Sequence, residues 1–264
     1  MWLDYAGLRV TDLSRSLPFY TDLLGLAEIR RGEMDHGGIW VLLHHRHSRQ
    51  YLELNWYPMG SRYDTPYIPG ESLDHVGFSV RDVPGAFEFL RRHGARPTRV
   101  DPTVTGGQAA YLMDPDGNWI ELFTDLDLPF HLRYTGIRVG DLERSLRFYT
   151  GALGLRESVR GDLSSQGGGT FVGLSDPYSG QRLELDWYPP NSPFAVPFVV
   201  GEGLDHLGVR TDDVEGSVKL LEASGGRLVD SVKDPDGRLD VAFVTDPDGT
   251  WVELIHQPDL DPEE

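Results

Sequence analysis

The chain has no cysteine in 264 residues. A core of that size needs no disulfide staples, and the absence of thiols fits a reducing compartment. Lysine is almost missing as well. Lys219 and Lys233 are the only two, so nearly all of the 24 basic residues are arginine. Against them stand 42 acidic residues, giving a formal net charge of −18. That shortage of positive charge disfavours nucleic acid and anionic membrane surfaces as partners, because both repel an acidic surface, and neither is expected. Long apolar runs are absent too: near the start the longest is IWVLL at 39–43, far too short to span a bilayer. The opening stretch, MWLDYAGLRV, lacks a basic region followed by an apolar one, so no signal peptide is expected and a cytoplasmic location is.

What the chain does have is internal repetition. YAGLRVTDLSRSLPFYTDLLGL (5–26) returns as YTGIRVGDLERSLRFYTGALGL (134–155), and LDHVGFSVRDV (73–83) as LDHLGVRTDDV (204–214). YLELNWYP (51–58) returns as RLELDWYP (182–189), and DPDGNWIELF (114–123) as DPDGTWVELI (246–255). Two halves of similar fold follow, 1–128 and 129–258, with an acidic tail at 259–264. The link between them lies around TDLDLPF at 124–130.

Each half divides again. Four segments open with a short strand that has a glycine near its centre: Gly7, Gly77, Gly136 and Gly208. Each is followed by an aspartate suited to cap a helix, at Asp12, Asp82, Asp141 and Asp212. Leu13, Leu17, Tyr20 and Leu24 form a helical stripe, as do Leu142, Leu146, Tyr149 and Leu153. Pro18 falls within the first of these helices. Alternating segments with turn signals come next, clearest at the two DPDG sequences. Every quarter therefore reads strand, helix and about three strands. The fold class is α+β, with four βαβββ modules in two tandem halves.

Side chains alternate faces along a strand. Leu52, Leu54 and Trp56 face the helix side, leaving Tyr51, Glu53, Asn55 and Tyr57 on the other. In the copy Leu183, Leu185 and Trp187 oppose Arg182, Glu184, Asp186 and Tyr188. Glu121 shares a face with Trp119 and Phe123, and Glu253 with Trp251 and Ile255. On the opening strands Tyr5, His75, Tyr134 and His206 stand beside their glycines, which leave room for them. A glutamate among apolar neighbours is costly unless its charge is compensated. Each half offers the same inward set: Tyr5, Glu53, His75 and Glu121, then Tyr134, Glu184, His206 and Glu253. One imidazole and two carboxylates suit a divalent transition metal such as Fe, Zn, Mn, Ni or Co.

These stretches resemble the vicinal oxygen chelate superfamily, which holds glyoxalase I, bleomycin-resistance proteins and extradiol dioxygenases. The resemblance spans roughly residues 4–257. It implies that modules pair into half-open barrels that each cup a metal, with ligands on the first and last strands. Carried onto this chain, the ligand positions are Tyr5, Glu53, His75, Glu121, Tyr134, Glu184, His206 and Glu253. The tyrosines depart from the family's usual His or Gln. A tyrosine there is a phenolate ligand, a donor to metal-bound water, or neither. Two arrangements are open: modules one with two and three with four, or one with four and two with three. In the second, Tyr5 and Glu53 meet His206 and Glu253.

One histidine and two glutamates per site are closer to the glyoxalase side than to extradiol dioxygenases, which use two histidines and one carboxylate. The resemblance implies a lyase or isomerase acting through a metal-bound enediolate on a small oxygen-rich substrate, with Glu53, Glu121, Glu184 and Glu253 as ligands or proton-moving groups. A ring-cleaving dioxygenase and a non-catalytic drug binder are the alternatives. The partner is a small molecule, and the chain acts as a monomeric pseudo-dimer or a homodimer. Substrate choice falls to loops such as 32–38, 57–70 and 188–203. Arg9 and Arg138, on the face of the tyrosines, either hold an anionic substrate or neutralise the glutamates. HHRH at 44–47 has no copy in the second half and reads as an exposed hairpin tip, while His93, His131 and His256 read as structural or surface residues. His36, in a glycine-rich loop, edges a pocket or merely turns; its copy is Gln166.

Overall fold

The alternation in the repeated octapeptide sets the layers. Leu52, Leu54, Leu183 and Leu185 are at most 1 % exposed, on the face that packs towards the helices. Each such side chain contributes about 1.5–3 kcal/mol by leaving water. A computed structural model describes residues 1–103, 106–124, 130–163 and 168–257. The boundary at 128/129, most of the 124–130 link, Gln166 and the acidic tail 259–264 lie outside the described residues.

Module one contains β1 (Trp2–Arg9), α1 (Leu13–Pro18), β2 (Ala27–Glu33), β3 (Ile39–His44) and β4 (Tyr51–Trp56). Module two contains β5 (Leu73–Val80), α2 (Val83–Arg92), β6 (Arg96–Pro97), β7 (Ala109–Met113) and β8 (Trp119–Thr124). Module three contains β9 (His131–Arg138), α3 (Leu142–Leu146), β10 (Arg156–Asp162), β11 (Thr170–Ser175) and β12 (Arg182–Trp187). Module four contains β13 (Leu204–Thr211), α4 (Val214–Ala223), β14 (Arg227–Lys233), β15 (Leu239–Thr245) and β16 (Trp251–His256). The α+β class and the βαβββ order of each quarter are as expected.

Helices α1 and α3 each run on into a π-helical turn, at Phe19–Leu23 and Arg147–Ala152. Pro18 does not cause it, since Arg147 holds the matching place in the copy. The wider turns carry Tyr20 and Tyr149, both fully buried, which donate to Asp114 and Asp246 of the two DPDG turns at 2.8 Å. Asp12, Asp82 and Asp141 cap their helices as expected. The fourth cap is Asp213, not Asp212: β13 runs to Thr211, and the Asp213 side chain accepts from the Gly216 N–H at 2.8 Å. His45 of the HHRH segment is not exposed. It is 5 % accessible and stacks on His131, ring centroids 5.1 Å apart.

The strand order decides between the two module arrangements. One sheet runs β14-β15-β16-β13-β1-β4-β3-β2, and the other β10-β11-β12-β9-β5-β8-β7-β6. Module one pairs with four and module two with three, so each sheet takes one module from each sequence half. At the centres β1 pairs antiparallel with β13, and β5 with β9. The register sets Tyr5 opposite Gly208 and Gly7 opposite His206. It likewise sets His75 opposite Gly136 and Gly77 opposite Tyr134. Each glycine therefore makes room for the ring of the facing strand. A Cβ on Gly208 would lie 2.4 Å from the Tyr5 ring, and one on Gly77 2.6 Å from Tyr134.

The connections 57–72 and 188–203 cross each other between the sheets. The Glu71 N–H donates to the Val199 carbonyl at 2.6 Å, and the Glu202 N–H to that of Ile68 at 2.7 Å. At the crossing Gly70 and Gly201 have φ of +72° and +69°, and a Cβ on Gly70 would stand 2.3 Å from the Gly201 Cα. Only glycine fits there. Among the described residues no helix is long and apolar enough to cross a membrane.

Candidate functional site

The pairing brings Tyr5 and Glu53 from module one together with His206 and Glu253 from module four. His206 Nε2 is the hub: Tyr5 Oη and Glu253 Oε2 both stand 3.2 Å away, and Glu53 Oε1 3.7 Å. The Tyr5 hydroxyl donates to Glu253 at 2.5 Å. On the far side of the ring, His206 Nδ1 meets Asp205 at 2.7 Å, and Asp205 also accepts from Tyr57 at 3.1 Å. The second sheet repeats the arrangement around His75. Tyr134 Oη, Glu121 Oε2 and Glu184 Oε1 lie 3.3, 3.5 and 3.7 Å from Nε2, and Asp74 lies 2.9 Å from Nδ1. The Tyr134 hydroxyl donates to Glu121. All eight expected positions thus gather into two groups of four.

Electrostatics divide each group alike. Burial pushes the carboxyls of Glu53 and Glu184 up to about 7, only partly opposed by the neighbouring imidazoles. Burial would also raise Glu253 and Glu121. There the imidazole charge and the hydrogen bonds from histidine and tyrosine win, and hold both below their ordinary value. Burial would lower His75 and His206, yet their surrounding carboxylates hold both well above the usual imidazole range. Each group therefore has an ionised glutamate on an imidazolium, beside a glutamate balanced between its two forms.

This donor set fits a divalent cation. Two buried carboxylates face one imidazole nitrogen whose proton stands where a cation would otherwise compensate them. The other nitrogen is fixed by an aspartate, the outer support that metal-binding histidines use. Sequence reasoning placed no role on Asp74 or Asp205, although the repeated LDH before each site strand carries them. Asp74, His75 and Asp186 also bring three potential ligand atoms within 4.8 Å of one another, on the Nδ1 side of the ring. Asp186 is 1 % exposed, and neither of its oxygens has a hydrogen-bond partner. Its copy is Asn55, so the first sheet lacks this acid.

The two groups differ in access. The first opens into a cavity of about 670 Å³ that is walled by Trp40, Tyr57, Tyr63, Phe243 and Trp251. Met34 and His36, Thr65, and Val200 and Glu202 bring in all three loops expected to choose the substrate, so His36 does edge the pocket. In the second group Tyr111 stands where the first has Phe243. Its hydroxyl donates to Glu121 at 2.7 Å and its ring packs edge-on against His75. Trp119 lies against Tyr111, and Phe194 against Trp119. The hollow beside Glu184 measures about 200 Å³. Arg9 and Arg138 do not neutralise the site glutamates. They pair instead with Glu202 and Glu71.

Known proteins share this frame. The sequence signature of the Glyoxalase/Bleomycin resistance protein/Dioxygenase superfamily matches residues 2–122 and 131–254. The lactoylglutathione lyase of Arabidopsis thaliana is 28 % identical over 266 residues, 96 % of this chain and 90 % of that protein. That of Schizosaccharomyces pombe is 28 % identical over 294 residues, covering 97 % and 96 %. The crystal structure of glyoxalase I from Zea mays superposes with a TM-score of 0.75 at 28 % identity, covering 96 % of this chain and 92 % of that one.

Proposed function

The chain belongs to the glyoxalase/bleomycin resistance protein/dioxygenase superfamily, and on that premise we propose that its first sheet carries a metal-dependent lyase site for a small molecule with two adjacent oxygens. Its likeness over nearly the whole length to glyoxalase I makes it an enzyme of the glyoxalase I type. The observation that carries the proposal is the convergence of Tyr5, Glu53, His206 and Glu253, from two modules, on one cavity of about 670 Å³.

Glu53, His206 and Glu253 would hold the cation, with Tyr5 beside them. A divalent transition ion bound there supplies Lewis acidity for the neighbouring oxygens of the substrate. The chain's own residues do the rest. Asp205, itself held by Tyr57, keeps the imidazole of His206 oriented. The Tyr5 hydroxyl fixes Glu253. Glu53, whose carboxylate faces the cavity, takes a proton from one carbon and returns it to the next. The reaction is an isomerisation: one C–H bond breaks and one forms on the adjacent carbon, the hydroxyl proton passes from the first oxygen to the second, and no atom is gained or lost. The aromatic walls keep bulk water from the carbanionic stage. Each sheet is completed within one chain, which supports a monomer as the working unit.

Metal content of the purified, untagged protein tests this, with Glu253→Ala and Glu121→Ala measured alongside by mass spectrometry. Loss of a bound ion is expected in Glu253→Ala, together with loss of isomerisation of a probe with adjacent oxygens, the thiohemiacetal that phenylglyoxal forms with a small thiol. A protein that takes up no transition metal, even after reloading, would sink the proposal.

A further inference from the structure

Four arginines border the cavity of the first sheet, and three are already matched within the chain. Arg9, with 8 % of its side chain exposed, is ion-paired with Glu202. It also donates to the Thr65 hydroxyl at 2.6 Å and to the Thr65 carbonyl at 3.2 Å. Arg210 donates to Asp4 at 2.6 Å, and Arg62 to Asp230 at 2.8 Å. The fourth, Arg30, is exposed, where water and salt screen it. Glu53, Glu202, Asp205 and Glu253 line the same cavity. A buried cation free to receive a substrate carboxylate is therefore missing among the described residues of the wall.

The Arg9–Glu202 pair is built into the frame. Glu202 sits at the loop crossing, where the Ile68 carbonyl binds its N–H at 2.7 Å and the Pro69 carbonyl binds that of Gly203 at 2.9 Å. These bonds fix its backbone beside Arg9, and the ion pair with Arg9 holds its carboxylate. The other half repeats the device: Arg138 pairs with Glu71 and donates to the Val196 carbonyl at 3.2 Å. An anion that reached Arg9 would have to compete with the Glu202 carboxylate and stand beside it, and like charges side by side disfavour binding. What the cavity does offer is ring surface, from Trp40, Tyr57, Tyr63, Phe243 and Trp251. Such walls favour flat or cyclic groups.

We propose that the substrate is an uncharged, ring-bearing molecule with adjacent oxygens, and that conjugates bearing free carboxylates are rejected by the Arg9–Glu202 pair. This rests on the reading of the cavity as the substrate chamber.

A matched pair of probes tests it. Phenylglyoxal forms thiohemiacetals with N-acetylcysteine, which carries one carboxylate, and with N-acetylcysteine amide, which carries none. On the metal-loaded protein the neutral adduct is expected to isomerise with a kcat/KM about tenfold or more above the anionic one. Glu202→Gln, which releases Arg9, is expected to narrow that gap by raising the anionic adduct alone. Binding of the inert thioethers S-benzyl-N-acetylcysteine and its amide, read by tryptophan fluorescence, separates this inference from the lyase reading. Tighter binding of the amide with no turnover of either adduct would support the inference and sink the lyase reading. Equal or better performance of the carboxylate probes on the wild-type protein would overturn the inference, as would failure of both thioethers to bind.

Discussion

The two sheets carry one ligand pattern in two settings. Around His206 the facing aromatic is Phe243, which has no hydroxyl, and Tyr63 leans away towards His36 and Tyr57. Arg62 accounts for that posture, since it stacks on the Tyr63 ring and pairs with Asp230 on β14. Around His75 the aromatic is Tyr111, bonded to Glu121, and Phe194 closes on Trp119 with Arg99 over its outer face. Pro193 stands in the place of Arg62. Duplication therefore preserved the donors, while one hydroxyl and one loop aromatic separate an open chamber from a filled one.

The largest expected effect breaks the symmetry kinetically. Glu53→Gln should lower kcat about 10²- to 10⁴-fold, the usual weight of a proton-moving group. Its copy Glu184→Gln should leave kcat within about threefold in the same steady-state assay. Equal losses would mean that the filled site also turns over.

Asp186 aside, whose carboxyl is held well above the usual range by burial and whose copy is Asn55, acidity is where the two sites should agree. Glu53 and Glu184 titrate near 7 in the folded, metal-free protein, against 4.5 for a free glutamate. Between those values the folded chain keeps a proton that the unfolded chain has lost, so stability falls as pH rises through that window. Each glutamate accounts for about 3 kcal/mol at most. Urea unfolding of chelator-treated protein across this range should show the decline, and either Glu→Gln variant should remove a similar part of it. A slope changed by one variant only would show that the two electrostatic settings differ.

Opening the filled site is a smaller step. Tyr111→Phe with Phe194→Ala should add a second binding event for S-benzyl-N-acetylcysteine amide in calorimetry. The lost hydrogen bond to Glu121 should cost about 1–3 kcal/mol of stability. A single binding event in the double variant would place the barrier elsewhere. Smallest is the cap of α4: Asp213→Ala should cost about 1 kcal/mol in denaturant unfolding. Asp212→Ala, its neighbour, should stay within about 0.5 kcal/mol. A reversed order would restore the spacing first expected from the repeat.

The four modules, the inward glutamates and the two histidines were legible because strand alternation and repetition both act locally. The cap was misread by one residue because two aspartates follow β13, and only the strand's end distinguishes them. His45 was misread because its cover, His131, comes from another module. Tyr111 and Phe194 drew no attention, since any aromatic on a strand or loop has an ordinary packing role. The module pairing did leave a trace. Residues 57–72 and 188–203 are long connections, whereas Thr124 and His131 are separated by a short one. Short connections favour neighbours in a sheet, which joins modules two and three.

The sequence by itself determined the unit and its chemistry: a βαβββ module that presents Tyr and Glu, or His and Glu, beside a glycine. Local steric rules suffice for that, because side chains alternate and a missing Cβ leaves room. Tertiary structure settled which tyrosine meets which histidine, a choice that the connection lengths only favoured, and it alone decided which of the two sites stays open. Gly208 admits the ring of Tyr5 and Gly77 that of Tyr134, so the glycines alone do not choose the pairing, and the observed one is accompanied by the loop crossing at Gly70 and Gly201. The open chamber rests on where Arg62 and Phe194 find their partners across the molecule.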